Sequence, residues 1–182
     1  RSNQEENWDR IEPMVEAWLR GRHAEFAGEW LYSQIEPELL VEPYRGNGAM
    51  LPLDYKFFVF GGRALFIQVD TDRAENHRRC FYDRNWQRQP FGLEYPLETR
   101  DISRPAALDE MISLAEKLGA EFDFARVDLY EVGNAPLFGE MTFYPGSGLE
   151  VFSPVEWDRK LGDLWNTARQ NPALTEISEQ HQ

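Results

Sequence analysis

The chain has 182 residues, and its 19 basic and 32 acidic side chains give a net charge of −13 at pH 7. This charge argues against a general nucleic-acid or anionic-membrane binder, and the aromatic content of 14% argues against disorder. The densest apolar run, Phe57–Phe60, is far shorter than the roughly 20 residues that span a bilayer. The length allows one domain with a useful core. The polar start predicts no signal peptide, and the single Cys80, which we expect to be a packing residue, fits a reducing cytoplasm.

The first part of the chain predicts two helices and a strand. Residues 5–20 carry apolar side chains at helical spacing, although Pro13 interrupts the pattern and moves the expected start toward Glu12. Residues 25–32 fit a second short helix. Residues 38–44 (ELLVEPY) fit a short strand that ends at a Gly-containing loop.

A hairpin and a long loop follow. Residues 54–60 and 64–71 fit two strands joined by Gly61-Gly62, because glycine supplies the positive φ angles of a two-residue turn. Residues 73–104 contain prolines, a glycine and several aromatic side chains, so we expect a long functional loop there.

This loop is rich in arginine. Five arginines fall within sixteen residues, at positions 73, 78, 79, 84 and 88. Guanidinium groups suit phosphate and carboxylate oxygens, so an anionic ligand is one interpretation. The alternative is a solvated loop whose arginines pair with the surplus acids of the chain.

The remaining pattern completes an α+β fold. A helix opens at Ser103 and Pro105 and runs to about Leu118. Strands are expected at 122–131 and 136–143, around the loop 133–135. A last helix starts at Ser153, where Glu156 completes a capping box, and the tail from residue 172 to 182 is polar. Hairpins and covering helices together predict an antiparallel β-sheet covered by helices.

The second hairpin carries a facing pair of carboxylates. Because strand side chains alternate between faces, Arg126 and Asp128 share a face of one strand, and Glu140 and Thr142 share a face of the next, together with Phe138. A three-residue loop places Asp128 opposite Glu140. Two such carboxylates repel each other, and a hard cation such as Mg²⁺ would relieve that repulsion. The alternative is a structural salt-bridge cluster of Arg126, Asp128 and Glu140 on a solvated face.

Several motifs in sequence order resemble one enzyme family. RVDLY (126–130), GEMTFYPGSG (139–148) and FSPVEWDRKLG (152–162) are similar to the closing stretch of the ATP-grasp ligases. DYKFFVFGG (54–62), IQVDTDR (67–73), HRRCFYDRNW (77–86), and PF followed by YP are similar to the same branch, which is typified by teichuronopeptide-biosynthesis proteins of bacterial cell-surface polysaccharide pathways. The resemblance covers most of residues 28 to 166.

The resemblance implies a mechanism and a set of roles. In these ligases ATP phosphorylates a carboxylate, and an amine or other nucleophile displaces the phosphate from the acylphosphate. The implied cofactors are ATP and Mg²⁺, the partner is a small-molecule or saccharide acceptor, and the implied location is the cytoplasm. By resemblance, Arg126 is catalytic; Asp128, Glu140 and Thr142 are metal ligands; Glu42, Tyr44, Asp54, Lys56, Arg78 and Arg79 bind ATP; and Pro145, Gly146 and Ser147 border the acceptor. Thr142 stands where many relatives carry Asn.

The resemblance also implies an incomplete enzyme. Only about 40 residues precede the VEPY segment (41–44), and they contain no Lys, whereas the family carries a phosphate-binding Lys strand and a Gly-rich lid there. We therefore expect residues 1–171 to be an ATP-grasp domain that is incomplete at its N-terminal side, the C-terminal lobe of the fold. A non-catalytic nucleotide- or sugar-phosphate-binding module and a polysaccharide-pathway glycosyltransferase stay open as alternatives. The sequence does not identify the acceptor, the amine or the oligomeric state.

Overall fold

Antiparallel strands form the centre of the structure, a computed structural model that describes residues 8–20, 34–46, 52–73 and 75–170. The described strands are β1 (Asp54–Phe60), β2 (Arg63–Thr71), β3 (Arg78–Tyr82), β4 (Gly92–Leu93), β5 (Phe124–Val132), β6 (Ala135–Thr142) and β7 (Phe152–Ser153). A five-stranded sheet has the order β3-β2-β1-β5-β6, and β4 pairs with β7 in a small second sheet. The helices are α1 (Trp8–Arg20), α2 (Leu108–Gly119) and α3 (Glu156–Gln170). The predicted α+β class is confirmed.

The chain divides into two units, Arg1–Leu51 and Pro52–Gln182. In the first unit, α1 continues through Pro13, and Arg20 pairs with Glu16 one turn earlier at 2.7 Å. The strand predicted at residues 38–44 is wrong: the described segment 34–46 contains no strand and is largely exposed. An apolar run becomes a strand only where a neighbouring strand takes up its backbone hydrogen bonds. The helix predicted at 25–32 and the tail at 172–182 lie outside the described residues.

The first hairpin of the second unit is confirmed. β1 and β2 pair antiparallel around Gly61 and Gly62, whose φ angles of 54° and 79° are those that favour glycine.

The long loop predicted for residues 73–104 is partly wrong, because β3 and β4 lie within it. In β3 the apolar residues Cys80, Phe81 and Tyr82 are all buried, so the segment lacks the alternation by which a half-exposed strand is recognised. Five residues are also a short signal beside the preceding arginine pair.

Two helix starts differ from prediction. Helix α2 begins at Leu108, and the backbone N–H of Ala107 donates to the Glu131 carboxylate of β5 at 2.7 Å, so a distant side chain caps this helix. Helix α3 begins at Glu156 rather than Ser153. Ser153 instead pairs with Gly92 in the small sheet, which removes it from the helix.

One face of the central sheet packs against α2. Its apolar side chains alternate along β1 and β5 and meet the buried stripe of the helix. This core contains Tyr55, Phe57, Val59, Ile67, Val69, Cys80, Val127, Leu129, Leu108, Met111, Ile112 and Ala115. Burial raises the pKa of the Cys80 thiol, which agrees with the packing role predicted for it.

The opposite face is divided along the strands. Its aromatic half packs against α3 and the small sheet, with Phe58, Phe60, Phe81, Phe91, Phe124 and Leu161 in one cluster. Its other half carries charged side chains that are nonetheless buried. A buried charge requires an ion-pair partner or a ligand. The charged half of this face is therefore the candidate functional site.

Candidate functional site

Strand register gathers the charged residues on one face. In antiparallel pairs, residues directly opposite each other point to the same side. Lys56 of β1 lies between Gln68 of β2 and Asp128 of β5, and Asp128 lies opposite Glu140 of β6. In the next row, Asp54 of β1 lies between Asp70 of β2 and Tyr130 of β5. Asp70 in turn lies opposite Arg79 of β3. The row on the other side places Arg126 between Phe58 and Thr142.

Lys56 occupies the centre of this face. Its ammonium lies 2.6 Å from Asp54 Oδ2 and also donates to Asp128 Oδ2. All three side chains are almost completely buried. Arg73, half exposed at the edge, adds a second ion pair to Asp54 Oδ2 at 2.9 Å. A lysine placed between two buried carboxylates removes their mutual repulsion and holds them on neighbouring strands.

Asp54 keeps one oxygen free of protein partners. Its Oδ1 atom is buried without a hydrogen bond, whereas Oδ2 receives Lys56 and Arg73. Burial outweighs these two cations, so the pKa of Asp54 lies above its ordinary value. An unpartnered oxygen in a polar cluster suits a hydroxyl donor from a ligand.

Arg126 connects both strands of the second hairpin. Its Nε donates to Asp128 Oδ1 at 2.8 Å and its NH2 to Asp128 Oδ2 at 2.9 Å, a bidentate pair. The same NH2 group lies 3.2 Å from Glu140 Oε1 and 3.1 Å from Thr142 Oγ1. The predicted catalytic and metal residues are thus brought together. The ion pairs of the alternative interpretation are also present, but the solvated face is wrong for Arg126 and Asp128, which are 11% and 2% exposed.

A bulge produces the facing carboxylates. The loop between β5 and β6 has two residues, since Val132 pairs with Ala135, and the three-residue loop predicted from sequence is wrong. The register shifts between Asp128 and Leu129, and Gly139 is the extra residue that restores the predicted pair of Asp128 with Glu140. As a result Phe138 pairs with Leu129 and does not share the face of Glu140, contrary to prediction.

Glu140 is the exposed member of the cluster. Its side chain is 64% exposed, whereas that of Asp128 is 2% exposed. Partial burial and the facing charge of Asp128 raise the pKa of Glu140 above its ordinary value, although Arg126 and Lys56 oppose the rise. A cation bound beside Glu140 would therefore stabilise the ionised form of its carboxylate.

The donor set partly fits a divalent cation. Asp128 and Glu140 offer hard oxygen atoms from facing positions, which Mg²⁺ prefers. Both oxygens of Asp128, however, already accept from Lys56 or Arg126, and Thr142 Oγ1 accepts from Arg126. Across the described ranges, no three His, Cys, Asp or Glu side chains are arranged to hold a metal. Cation binding at the pair would thus require Arg126 to move away from Asp128 and Glu140.

A second buried cluster surrounds Asp70. Arg79 Nε donates to Asp70 Oδ1 at 2.7 Å, and Gln68 Nε2 donates to Asp70 Oδ2 at 3.0 Å. Burial acts to raise the pKa of Asp70, but the hydrogen bond and charge of Arg79 outweigh burial, and the pKa lies below its ordinary value. Arg79 NH1 also pairs with Glu150 at 3.0 Å. This cluster ties β2 and β3 to the segment that follows β6.

The turn expected to border the acceptor is held by this cluster. Residues Pro145–Gly148 form a tight turn in which Gly146 and Ser147 have φ angles of 54° and 55°. A Cβ atom on Gly146 would lie 2.4 Å from Glu150 Cγ, so the backbone of the turn lies directly on the side chain that Arg79 anchors. A side chain at this position would force them apart.

The other residues predicted to contact ATP are Glu42, Tyr44 and Arg78. Glu42 and Tyr44 belong to the first unit. Arg78 points to the opposite side of β3 from Arg79 and donates to the Leu97 carbonyl oxygen at 3.1 Å.

Sequence reasoning missed Gln68 and Asp70, which are buried, and Glu150, which is partly buried. For the first two a signal existed: in the run IQVDT, polar residues alternate with Ile67, Val69 and Thr71, which places them on the face of Lys56. Glu150 follows a glycine-rich turn and gives no periodic signal.

Comparison with known proteins decides the family. The sequence profile described as TupA-like ATPgrasp matches residues 8–166. The chain belongs to the TupA-like ATP-grasp family. No curated protein and no solved structure matches the chain.

Family membership gives the charged face its context. ATP-grasp proteins have an ATP-dependent ligase-type fold that binds nucleotides, and the α+β sheet of this member carries buried charged side chains on one face. The same match spans both described units of the chain. No described helix of this TupA-like ATP-grasp protein is long and apolar enough to cross a membrane.

Proposed function

We propose that this protein acts as an ATP- and Mg²⁺-dependent ligase of bacterial cell-surface polysaccharide biosynthesis, in the cytoplasm. A carboxylate oxygen of the substrate attacks the γ-phosphorus of ATP and ADP leaves; an amine then attacks the acylphosphate carbonyl carbon and phosphate leaves. The observation that carries the proposal is the assembly of Lys56, Arg126, Asp128 and Glu140 on one sheet face of an ATP-grasp family member.

The facing carboxylates are the proposed cation site. Asp128 and Glu140 would hold Mg²⁺, with Thr142 beside them on β6. When bound, Mg²⁺ would supply charge neutralisation to the phosphate oxygens. The geometry supports this assignment, because the Glu140 carboxylate is exposed and lies directly opposite the carboxylate of Asp128.

The cations of the cluster are the proposed anion-stabilising groups. Phosphoryl transfer requires charge neutralisation more than covalent help. Arg126 is shared among Asp128, Glu140 and Thr142, so its guanidinium can pass from these oxygens to those of an acyl substrate. Lys56 lies one row along the sheet from Arg126, beside Asp54. Its ammonium is proposed to contact a phosphate of the nucleotide.

Nucleotide and acceptor contacts complete the proposal. The unpartnered Oδ1 of Asp54 is proposed to accept a hydrogen bond from a hydroxyl of the nucleotide ribose. The turn containing Pro145, Gly146 and Ser147 is proposed to border the acceptor. The remaining proposed nucleotide contacts are Glu42, Tyr44, Arg78 and Arg79, of which Arg79 would first have to leave Asp70 and Glu150.

Calorimetric titration with a non-hydrolysable ATP analogue and Mg²⁺ tests the proposal. Glu140→Gln removes one exposed charge and should weaken binding at least tenfold, on the order of 1.4 kcal/mol; Asp128→Asn should weaken it further. Glu156→Gln, an exposed change on α3, is the matched control and should leave the affinity unaltered. Equal affinities for Glu140→Gln and the wild-type protein would refute the assignment.

One observation favours a second function, a non-catalytic nucleotide- or sugar-phosphate-binding module. Among the described residues the cluster already balances its charge, with Lys56, Arg73 and Arg126 against Asp54, Asp128 and Glu140. A balanced cluster binds an anion by exchanging partners and needs no metal. This function predicts nucleotide affinity that is independent of Mg²⁺, without ADP release in the presence of amine and carboxylate acceptors.

A further inference from the structure

A cavity of about 170 Å³ lies beside the charged cluster, on the same face of the sheet. Aromatic side chains from β1, β5 and α3 form its walls, and the turn after β6 closes one side. The residues on which the argument rests are Phe58, Phe124, Gly148, Glu150, Asp158 and Gly162.

The register fixes the place of this cavity relative to Arg126. Phe58 lies directly opposite Arg126 in the ladder, and Phe124 precedes Arg126 by two residues on the same face. Two residues along a strand span about 6.6 Å. The part of the cavity wall that these two rings form therefore lies next to Arg126 in the ladder.

The cavity has the size and surface for one ring. A protein cavity of about 150 Å³ with apolar walls can hold a benzene molecule. Phe58, Phe60, Phe124 and Trp165 line the cavity, and aromatic rings favour offset or edge-on contact with another ring.

A glycine inside α3 keeps this space open. Gly162 lies in the middle of the helix, where glycine is less stable than alanine. A Cβ atom built on Gly162 meets no atom within 4 Å, so no described neighbour requires a glycine there. Gly148, which also lines the cavity, has no atom within 4 Å of its Cβ position either, although its φ of 70° by itself favours glycine. Side chains at these positions would occupy the volume that a ligand would use.

Two carboxylates give the cavity a charge preference. Glu150 lines it and is anchored by Arg79 at 3.0 Å, while Asp158 lines it from the exposed side of α3. An ammonium group or another strong donor on the ring would find these acceptors. Asp158 would repel an anionic group, whereas Arg79 compensates the charge of Glu150.

We propose that this cavity binds an apolar ring that carries an amine, and that it selects a cyclic or aromatic amine as a substrate of this protein. The assignment of the bound amine as substrate rests on the proposed function. Binding of the ring rests only on the cavity. A test of binding without nucleotide therefore separates the two.

Three probes with one ring and different charge test the proposal: benzylamine, benzyl alcohol and benzoate. Saturation-transfer NMR titrations of the whole protein, without nucleotide, should rank their affinities in that order. Benzylamine should bind at least fivefold more tightly than benzoate. Asp158→Asn should reduce the difference in affinity between benzylamine and benzoate. The matched control Asp163→Asn should leave that difference unchanged, because Asp163 lies on the same helix but does not line the cavity.

Filling the cavity gives a second readout. Gly162→Leu should weaken benzylamine binding at least tenfold without lowering the melting temperature, because the new side chain enters open space on a helix. Asn166→Leu, an exposed position of α3, is the control. If Gly162→Leu fails to fold, Gly162→Ala should still raise the melting temperature and weaken the binding of benzylamine.

Several outcomes overturn the proposal. Benzoate binding as tightly as benzylamine would refute the charge preference, and unchanged binding in Gly162→Leu would refute the location. Binding of methyl glucoside in place of all three ring probes would refute the apolar occupant. Selective benzylamine binding by a protein that does not bind the ATP analogue would support the cavity and reject the ligase.

Discussion

At the scale of single residues, Asp70 and Asp54 show opposite outcomes of the same burial. Both are almost inaccessible and lie opposite each other on β2 and β1. Arg79 and Gln68 satisfy both oxygens of Asp70, and its pKa falls below the ordinary value despite burial. Asp54 retains an unpartnered oxygen, and its pKa rises. The first carboxylate is fully paired within the fold, and the second keeps one buried oxygen without a partner.

Asp70→Asn tests this distinction through pH. The lowered pKa means that the stability contributed by ionised Asp70 is complete above about pH 4, its ordinary pKa range, and is lost as pH falls through the folded-state pKa. At pH 7 the variant should lose about 3 kcal/mol of unfolding free energy, because Arg79 keeps a buried charge without this partner. Urea unfolding should show this difference constant at higher pH and shrinking as the pH falls below about 4.

Asp163→Asn is the control for that series. Asp163 pairs with Arg159 at 3.8 Å on an exposed surface, where ion pairs contribute about 1 kcal/mol or less. A constant difference between Asp70→Asn and the wild-type protein from pH 7 to pH 3 would contradict the assigned pairing.

The residue scale is also where sequence reasoning succeeded best. Alternation along each strand grouped Arg126 with Asp128 and Glu140 with Thr142, and the assumed loop length put the two groups on one face. It could not show that Lys56 lies between Asp54 and Asp128, because that contact depends on β1 lying beside β5, far apart in sequence. Nor could it show that the arginines of residues 73–88 pair mostly within the fold, as Arg79 with Asp70 and Arg84 with Glu116 do.

At the scale of elements, the β5–β6 hairpin reached the expected pairing by an unexpected route. A two-residue loop alone would place Asp128 opposite Gly139, and the bulge at Gly139 places it opposite Glu140. A loop of three residues and a loop of two with a bulge give the same register beyond the bulge. Sequence spacing could not distinguish them, and the orientation of Phe138 was lost as a consequence.

Gly139→Ala tests the importance of the bulge. A Cβ atom there would lie 3.0 Å from Tyr130 Cε2 and 3.1 Å from the Asp128 carbonyl oxygen. We expect about 1–3 kcal/mol of destabilisation from this crowding, measured by urea unfolding, with faster amide exchange around Glu140. Gly162→Ala, with no atom near its Cβ, is the matched control and should not destabilise. Equal stabilities of the two variants would show that the bulge tolerates a side chain.

At the scale of the second unit as a whole, one sheet is shared by two cores. The α2 side is aliphatic and aromatic throughout, whereas the α3 side is aromatic at one end and ionic at the other. The class of fold could be predicted because hairpins and amphipathic helices have local patterns. The division of one face could not, because it depends on how β1, β2, β3 and β5 align with one another.

Met111→Ala tests whether the two cores unfold together. Met111 is fully buried in the α2 core, and its truncation should cost about 2–5 kcal/mol. Because both cores depend on the same strands, circular dichroism and tryptophan fluorescence should report one shifted transition. Ser113→Ala, exposed on the same helix, should leave the midpoint in place. Separate transitions for the two signals would show that the α3 side is stable without the α2 side.

The buried thiol of Cys80 can report how often the folded protein opens. It is the only cysteine of the sequence, it is 1% exposed in the α2 core, and its raised pKa disfavours the reactive thiolate. An alkylating reagent can therefore modify the native chain only when the sheet opens. The labelling rate then measures the frequency of that opening, and a cysteine introduced on the surface would accept a fluorophore without competition from the native one.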